Sequence, residues 1–203
     1  YRSGCLDFVR TGLEQDEPVL VAVPQPGLGL LRSALSEAES ARVRTADMAQ
    51  AGRKPGRIIC TVLTAFVREH AGQRVRIIGE PIWAARSADE YPACAEHEAL
   101  INVALADSPA YVLCPYDMRR LEREWLTDAT RTHPTLAADG DRWDSPAYTD
   151  PVALAAYFDQ APEPAPPEAD VLVIGPTTGP STARRFVHDY AQAMGMSEGR
   201  LRN

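Results

Sequence analysis

The sequence predicts an α/β domain over residues 1–150, built as a mostly parallel sheet covered by helices in three layers. Three observations predict it. Short apolar runs bounded by proline or glycine recur at 18–24, 75–78 and 110–113, the pattern of strands buried on both faces. Segments with helical apolar spacing separate them, and strands alternating with helices imply a parallel sheet. A chain of 203 residues holds one such domain and a fragment of a second.

In chain order, LDFVRTGL (6–13) carries apolar residues at helical spacing and ends on a Thr-Gly helix-stop signal. PVLVAVP (18–24) reads as a buried strand and residues 28–35 as a helix. RVRTAD (42–47) alternates and reads as a short strand. Residues 55–70 form a helix with Ile58, Ile59, Val62, Leu63, Phe66 and Val67 as its apolar stripe. Residues 75–78 are the next strand, interrupted by Gly79-Glu80-Pro81. A helix starts from Ser87, with residues 88–90 in its first turn and an apolar face running to Leu105. AYVL (110–113) is a further strand, closed by Cys114-Pro115. Residues 121–132 form a helix stopped by His133-Pro134, and His133 reads as helix-terminal chemistry.

Beyond residue 150 the composition changes. Residues 151–169 read as a linker, because DQAPEPAPPEA (159–169) holds four prolines and three acids. DVLVIG (170–175) predicts a strand and residues 182–196 an amphipathic helix, the opening of a second, incomplete module over 170–203.

Composition excludes several functions. A net charge of −7 argues against a nucleic-acid or anionic-membrane surface. No apolar run approaches the roughly 18–20 residues that span a bilayer, and the start lacks a signal-peptide pattern. Cys5, Cys60, Cys94 and Cys114 are far apart with no C-x-x-C pair, as expected of reduced thiols in a cytoplasmic protein. No cofactor is expected.

Strand 18–24 leads into PQPGLGLLRS (24–33), which has the strand–turn–helix frame of a nucleotide site. A working phosphate loop needs Gly-Lys-Ser/Thr, and none is present. Pro24 and Pro26 remove two amides, and Arg32 is a poor stand-in for the lysine. The loop is degenerate, and nucleotide hydrolysis is not expected.

The informative residues end the other strands. In a parallel sheet, GEPIW (79–83) and CPYD (114–117) both fall on the carboxyl edge, where ligands bind. Glu80, Trp83, Cys114, Tyr116 and Asp117 are therefore candidates for one small-molecule cage. The alternative is that these are proline-ended turns, with Trp83 covering the core. On the following helix Cys94, His97 and Glu98 share a face that Ile101 and Asn102 extend. His97, Glu98 and Asn102 join the candidate ligand-binding set. A metal or haem site of Cys94, His97 and Cys114 is a rival reading, as is a helix packing Cys94 and Ile101 inward.

In their order, GL-x-x-x-EPVLVAVP, GEPIW, HEALIN, CPYD and THP resemble the MEDS sensory domain of methanogen and methylotroph regulators, frequent in actinobacterial signalling proteins. The resemblance covers about residues 1–150. It implies a RecA-like fold with the nucleotide loop lost and a non-catalytic domain that senses a small-molecule effector. The family usually opens with a His and a strand, whereas YRSGC runs directly into the first helix: either that strand is truncated or residues are missing from this numbering, which leaves the first edge of the pocket open. The tail from residue 170 resembles the start of an anti-sigma-type histidine-kinase-like ATPase, and the ATP-binding boxes of that module would lie past Asn203. This implies control of an anti-sigma-type ATPase, a sigma-factor regulatory protein as partner, and transcription regulation, with the tail helix or a homodimer contact carrying the signal. Two alternatives stand beside it: a protein-interaction module for a sigma-factor regulator, and a redox or metal sensor using Cys94, His97 and Cys114.

Overall fold

The architecture follows from where the chain buries its apolar runs. The computed structural model describes residues 1–159, 164–175 and 179–197, and the chain divides into one unit over 1–160 and another over 161–203.

In the first unit, α1 (Arg2–Glu14) buries Cys5, Leu6, Val9, Gly12 and Leu13. It begins four residues before its predicted start. β1 (Val19–Val23) is buried at every position. Its side chains alternate between two clusters, as a strand period of two requires. Val19, Val21 and Val23 pack with Val9, Leu13, Leu28 and Leu31. Leu20 and Ala22 pack with Met48, Ile58, Leu63, Phe66 and Ile101. Apolar demand on both faces is why the run is continuous.

α2 (Gln25–Arg32) begins immediately after β1, with Pro24 as its N-cap and Pro26 in its first turn, where a missing N–H costs nothing. The stretch read as a degenerate loop before a helix at Leu28 is thus already helical. Arg32 donates to the Thr45 hydroxyl. α3 (Glu37–Ala41) follows a Ser36/Glu39 capping box. β2 (Val43–Asp47) leads into α4 (Met48–Ala51), which Asp47 caps. The helix predicted over 55–70 is broken into α5 (Pro55–Ile58), a π-helical turn at Ile59–Leu63, and α6 (Thr64–Glu69).

β3 (Val75–Gly79) is wholly buried. After it, Ser87 and Glu90 cap each other's backbone N–H groups in a tight turn. That turn delays α7 (Tyr91–Ala104) by four residues relative to the predicted start. β4 (Ala110–Leu113) and α8 (Arg123–Thr132) form where predicted, but β4 is not the strand buried on both faces that its apolar run predicts: it is the sheet's edge, paired among the described strands only with β3, with Tyr111 exposed. A hairpin of β5 (Thr135–Ala138) and β6 (Asp141–Asp144) was not anticipated. Its two-residue turn puts Asp139 and Gly140 at φ 52° and 92°, the paired positive values of a type I′ turn.

α9 (Pro151–Phe158) corrects the linker assignment for residues 151–158. Asp150 accepts from the Ala153 N–H at 2.8 Å, capping a helix that has Pro151 in its first turn. Leu154, Ala155 and Phe158 are buried beside Tyr91, Cys94 and Trp125. The Tyr91 and Trp125 rings stack at 4.4 Å. The linker residues 160–163 lie outside the described residues.

The four-stranded sheet has the order β2-β1-β3-β4 and is parallel throughout. Val21 pairs with Thr45 on one side and Ile78 on the other. The chain leaves β1 towards β2 and returns to β3, so strand order reverses between the carboxyl ends of β1 and β3.

In the second unit, α10 (Pro180–Ala193) forms where an amphipathic helix is predicted. The predicted strand at 170–175 is not one: those residues carry no regular structure, and Val171, Val173 and Ile174 are exposed. A single strand needs a neighbouring strand to satisfy its backbone groups, and none of the described strands pairs with this segment. Residues 176–178 and 198–203 of the expected module lie outside the described residues. No described helix is long and apolar enough to cross a membrane.

Candidate functional site

The eight sequence-predicted residues fall into two polar clusters, plus side chains that join neither. The first lies at the strand-order reversal. Glu80 extends the β3 ladder, its N–H donating to the Ala22 carbonyl at 3.0 Å. Its side chain accepts a 2.5 Å hydrogen bond from the Tyr1 hydroxyl and is 8 % exposed. Burial pushes the Glu80 carboxyl up to about 7; Asp117 adds to the rise, while Tyr1 and Arg120 oppose it. The Tyr1 phenol is pushed far up by burial and by Glu80. Gly27, in the first turn of α2, closes the other side: a methyl there would lie 2.9 Å from the Tyr1 hydroxyl and 3.6 Å from a Glu80 oxygen. Asp117 also accepts from the Arg119 N–H at 3.1 Å, fixing the turn after β4.

The second cluster is deeper. Glu98 on α7 is buried, and its Oε2 lies 2.8 Å from Nε2 of His133, at the end of α8. Burial alone raises the Glu98 carboxyl, but the His133 imidazolium pulls it below its ordinary value. Burial lowers His133, and Glu98 more than reverses this, so the ring is raised. His133 Nδ1 lies 2.9 Å from the Ala129 carbonyl. A carbonyl only accepts, so Nδ1 carries a proton and Nε2 is the atom turned to Glu98. Cys114 and Tyr116 face the same carboxylate, and burial first, then Glu98, pushes both well up. Neither Glu98 oxygen nor the Tyr116 hydroxyl makes a hydrogen bond of normal alignment. Glu98, Cys114 and His133 each place one donor atom within 4.8 Å of the others. Asn102 supports this cluster from one turn along α7. Its amide donates to the Thr132 carbonyl at 2.9 Å, tying α7 to the residue before His133.

Trp83 and His97 belong to neither cluster. Arg86 stands 3.9 Å over the Trp83 ring and donates to the Pro81 and Gly52 carbonyls, each at 3.0 Å. Trp83 packs on the core, which is its covering role. His97 is buried with Nδ1 unpartnered, and burial brings its pKa down to about 4. Cys94 lies in the apolar cluster with Ile82 and Leu154, its thiol pushed up to about 12 by burial. Among the described residues, the donor atoms that come together are therefore those of Glu98, Cys114 and His133 rather than those of Cys94, His97 and Cys114. Sequence reasoning missed His133 and Tyr1 as site residues, since neither lies near its partner in the chain.

Two surface depressions lie at or near the opposite end of the sheet. One, of about 310 Å³, is lined by Pro18, Val19, Val43 and His70 among others; the second, of about 240 Å³, lies between Arg10, Leu13, Glu14, Glu39 and Arg42.

One protein family, described as "MEDS: MEthanogen/methylotroph, DcmR Sensory domain", matches residues 1–134. The match takes in Glu80, Glu98, Cys114 and His133 and stops before the β5–β6 hairpin. No curated protein and no solved structure matches the chain.

Proposed function

The chain belongs to the MEDS family of sensory domains, and on that premise we propose that it is a non-catalytic regulatory domain that receives a small polar effector beside Glu80. The observation carrying this reading is a buried carboxyl group at the point where strand order reverses. Open parallel sheets bind ligands in the crevice at such a point. A carboxyl poised near neutrality accepts from a hydroxyl or an ammonium group when ionised and donates to a hydroxyl or a carboxylate when protonated. Tyr1, Gly27 and Asp117 are the groups around this carboxyl that such an effector would meet. The parallel sheet, with a helix starting directly after β1 and no phosphate-loop lysine, supports a RecA-like ancestry with its nucleotide loop lost.

The output is the control of an anti-sigma-type ATPase and, through it, of a sigma-factor regulatory protein. What supports this is the resemblance of the tail and the formation of α10 where that module would place its first helix.

The family description names methanogens and methylotrophs, so methanol, methylamine and formate are the first probes. Calorimetric titration of the full chain is the experiment. Uptake of at least one probe, weakened about tenfold or more in Glu80→Ala, supports the reading. A folded wild-type chain that takes up none of the three, or a Glu80→Ala chain that binds undiminished, counts against it. The rival metal-sensor reading gains one specific observation, the meeting of Cys114 with Glu98 and His133.

A further inference from the structure

We propose that Glu98, Cys114 and His133 form a binding site for one thiophilic divalent cation of the zinc class. The proposal rests on the sensory reading only for its meaning as a second input; binding itself stands on the geometry.

The donor set selects the ion. A thiolate, an imidazole and a carboxylate together suit Zn²⁺ and its neighbours, whereas Ca²⁺ and Mg²⁺ call for oxygen ligands throughout. An iron–sulfur cluster wants several cysteines, and only Cys114 is present here. The spacing is within reach. The donor atoms lie within 4.8 Å of one another and Glu98 Oε2 is 2.8 Å from His133 Nε2, so an ion would draw the set toward the roughly 3.3–3.8 Å separations that tetrahedral bonds of about 2.1–2.3 Å impose.

The second observation is the state of the surrounding polar atoms. Apart from the approach of His133 Nε2 to Oε2 at 2.8 Å, both Glu98 oxygens are buried without an aligned hydrogen bond, and so is the Tyr116 hydroxyl. Buried acceptors in that condition are rare and call for an explanation such as an ion. His133 is already arranged as a metal ligand. Its Nδ1–H donates to the Ala129 carbonyl, the outer-shell contact that commonly orients a ligating imidazole, and Nε2 is turned to Glu98. Asn102 holds the adjacent Thr132 carbonyl, so the outer shell reaches back to α7.

Charge and access agree. The ion displaces the thiol proton and the imidazolium proton, so a 2+ charge enters as two protons leave and the buried cluster stays neutral. Glu98 forms the closed floor at 1 % side-chain exposure, while the His133 side chain is 20 % exposed and opens a path to solvent. The three ligands come from α7, the end of β4 and the end of α8, so an ion there clamps the helix on which α9 packs.

The test uses the full chain, stripped with a chelator and titrated with Co²⁺. The readout is the thiolate-to-cobalt charge-transfer absorption. Saturation at one equivalent, with displacement by Zn²⁺, is expected. Cys114→Ser should abolish the band and His133→Gln should weaken Co²⁺ binding about 100-fold, each with a folded-state circular dichroism spectrum. Cys60→Ser, at the exposed thiol, and Cys94→Ser should retain the band. A folded wild-type chain without the band, or a band that survives Cys114→Ser, overturns the site. The titrations with methanol, methylamine and formate are read separately, so loss of the metal site leaves the Glu80 reading standing, and the reverse.

Discussion

Glu98 Oε2 and His133 Nε2 face each other across 2.8 Å, joining residues 35 positions apart in a place where the carboxylate is 1 % exposed. An ion pair this deep recovers its desolvation cost only while both partners are present. His133→Ala should therefore destabilise the domain by about 3–5 kcal/mol, because it strands a buried carboxylate. Glu98→Gln combined with His133→Gln should lose less than the sum of the single changes. Urea denaturation of the four proteins measures the coupling, and strictly additive losses would contradict the pair.

Glu80 makes stability depend on pH. Its folded pKa of about 7 lies above the ordinary 4.5, so the native state keeps a proton that the unfolded chain releases. The resulting stabilisation is full below the unfolded value and is lost as pH rises through the folded one. Burial sets the rise; Asp117 adds to it, Tyr1 and Arg120 oppose it, and Cys5 lies nearby. Glu80→Gln should thus gain stability relative to wild type between about pH 5 and about pH 8. Urea midpoints at the two values check this, and a constant difference between the proteins would refute it.

At the other end of the sheet Arg76 donates to Glu17 at 2.5 Å, and its guanidinium lies 5.0 Å from the Phe8 ring centre and 5.3 Å from that of Tyr111. Both members of the pair are buried. Glu17→Ala should cost about 3–5 kcal/mol by leaving the guanidinium unpaired.

Gly12 makes room for that arginine. A methyl at Gly12 would come within 2.7 Å of Arg76 Cδ and 2.9 Å of Val19 Cγ2. Gly12→Ala should therefore lower stability by about 1–3 kcal/mol, although alanine is the better helix former. A thermal midpoint at or above that of wild type would contradict the close packing.

The strands were legible because their chemistry is local. VLVAV is apolar at every position since both faces of β1 are buried; VRII is likewise buried throughout although Arg76 interrupts its apolar run, whereas AYVL has the same apolar pattern on a half-buried edge strand. Glu98 was legible as a face shared with Cys94 and His97, but its partner His133 was not, because only the folded chain brings the end of α8 to α7. The eight candidates could not be sorted into two clusters for the same reason: sequence places residues on the carboxyl edge without saying which strand end meets which helix. Two misses did have signals. Asp139-Gly140 announced the hairpin turn, and Asp150-Pro151 announced the start of α9. DVLVIG shows the opposite failure. Its β-branched pattern fits a strand, and neither described sheet takes it in.

The most direct test of the central claim is a pair of amide NMR spectra of the chain, with and without methanol, methylamine or formate. Binding at the strand-order reversal predicts shifts concentrated at residues 23–27, 79–83 and 114–120, absent from Glu80→Ala. Shifts confined to the depression around Pro18, Val43 and His70, or none with any of the three, would contradict the account.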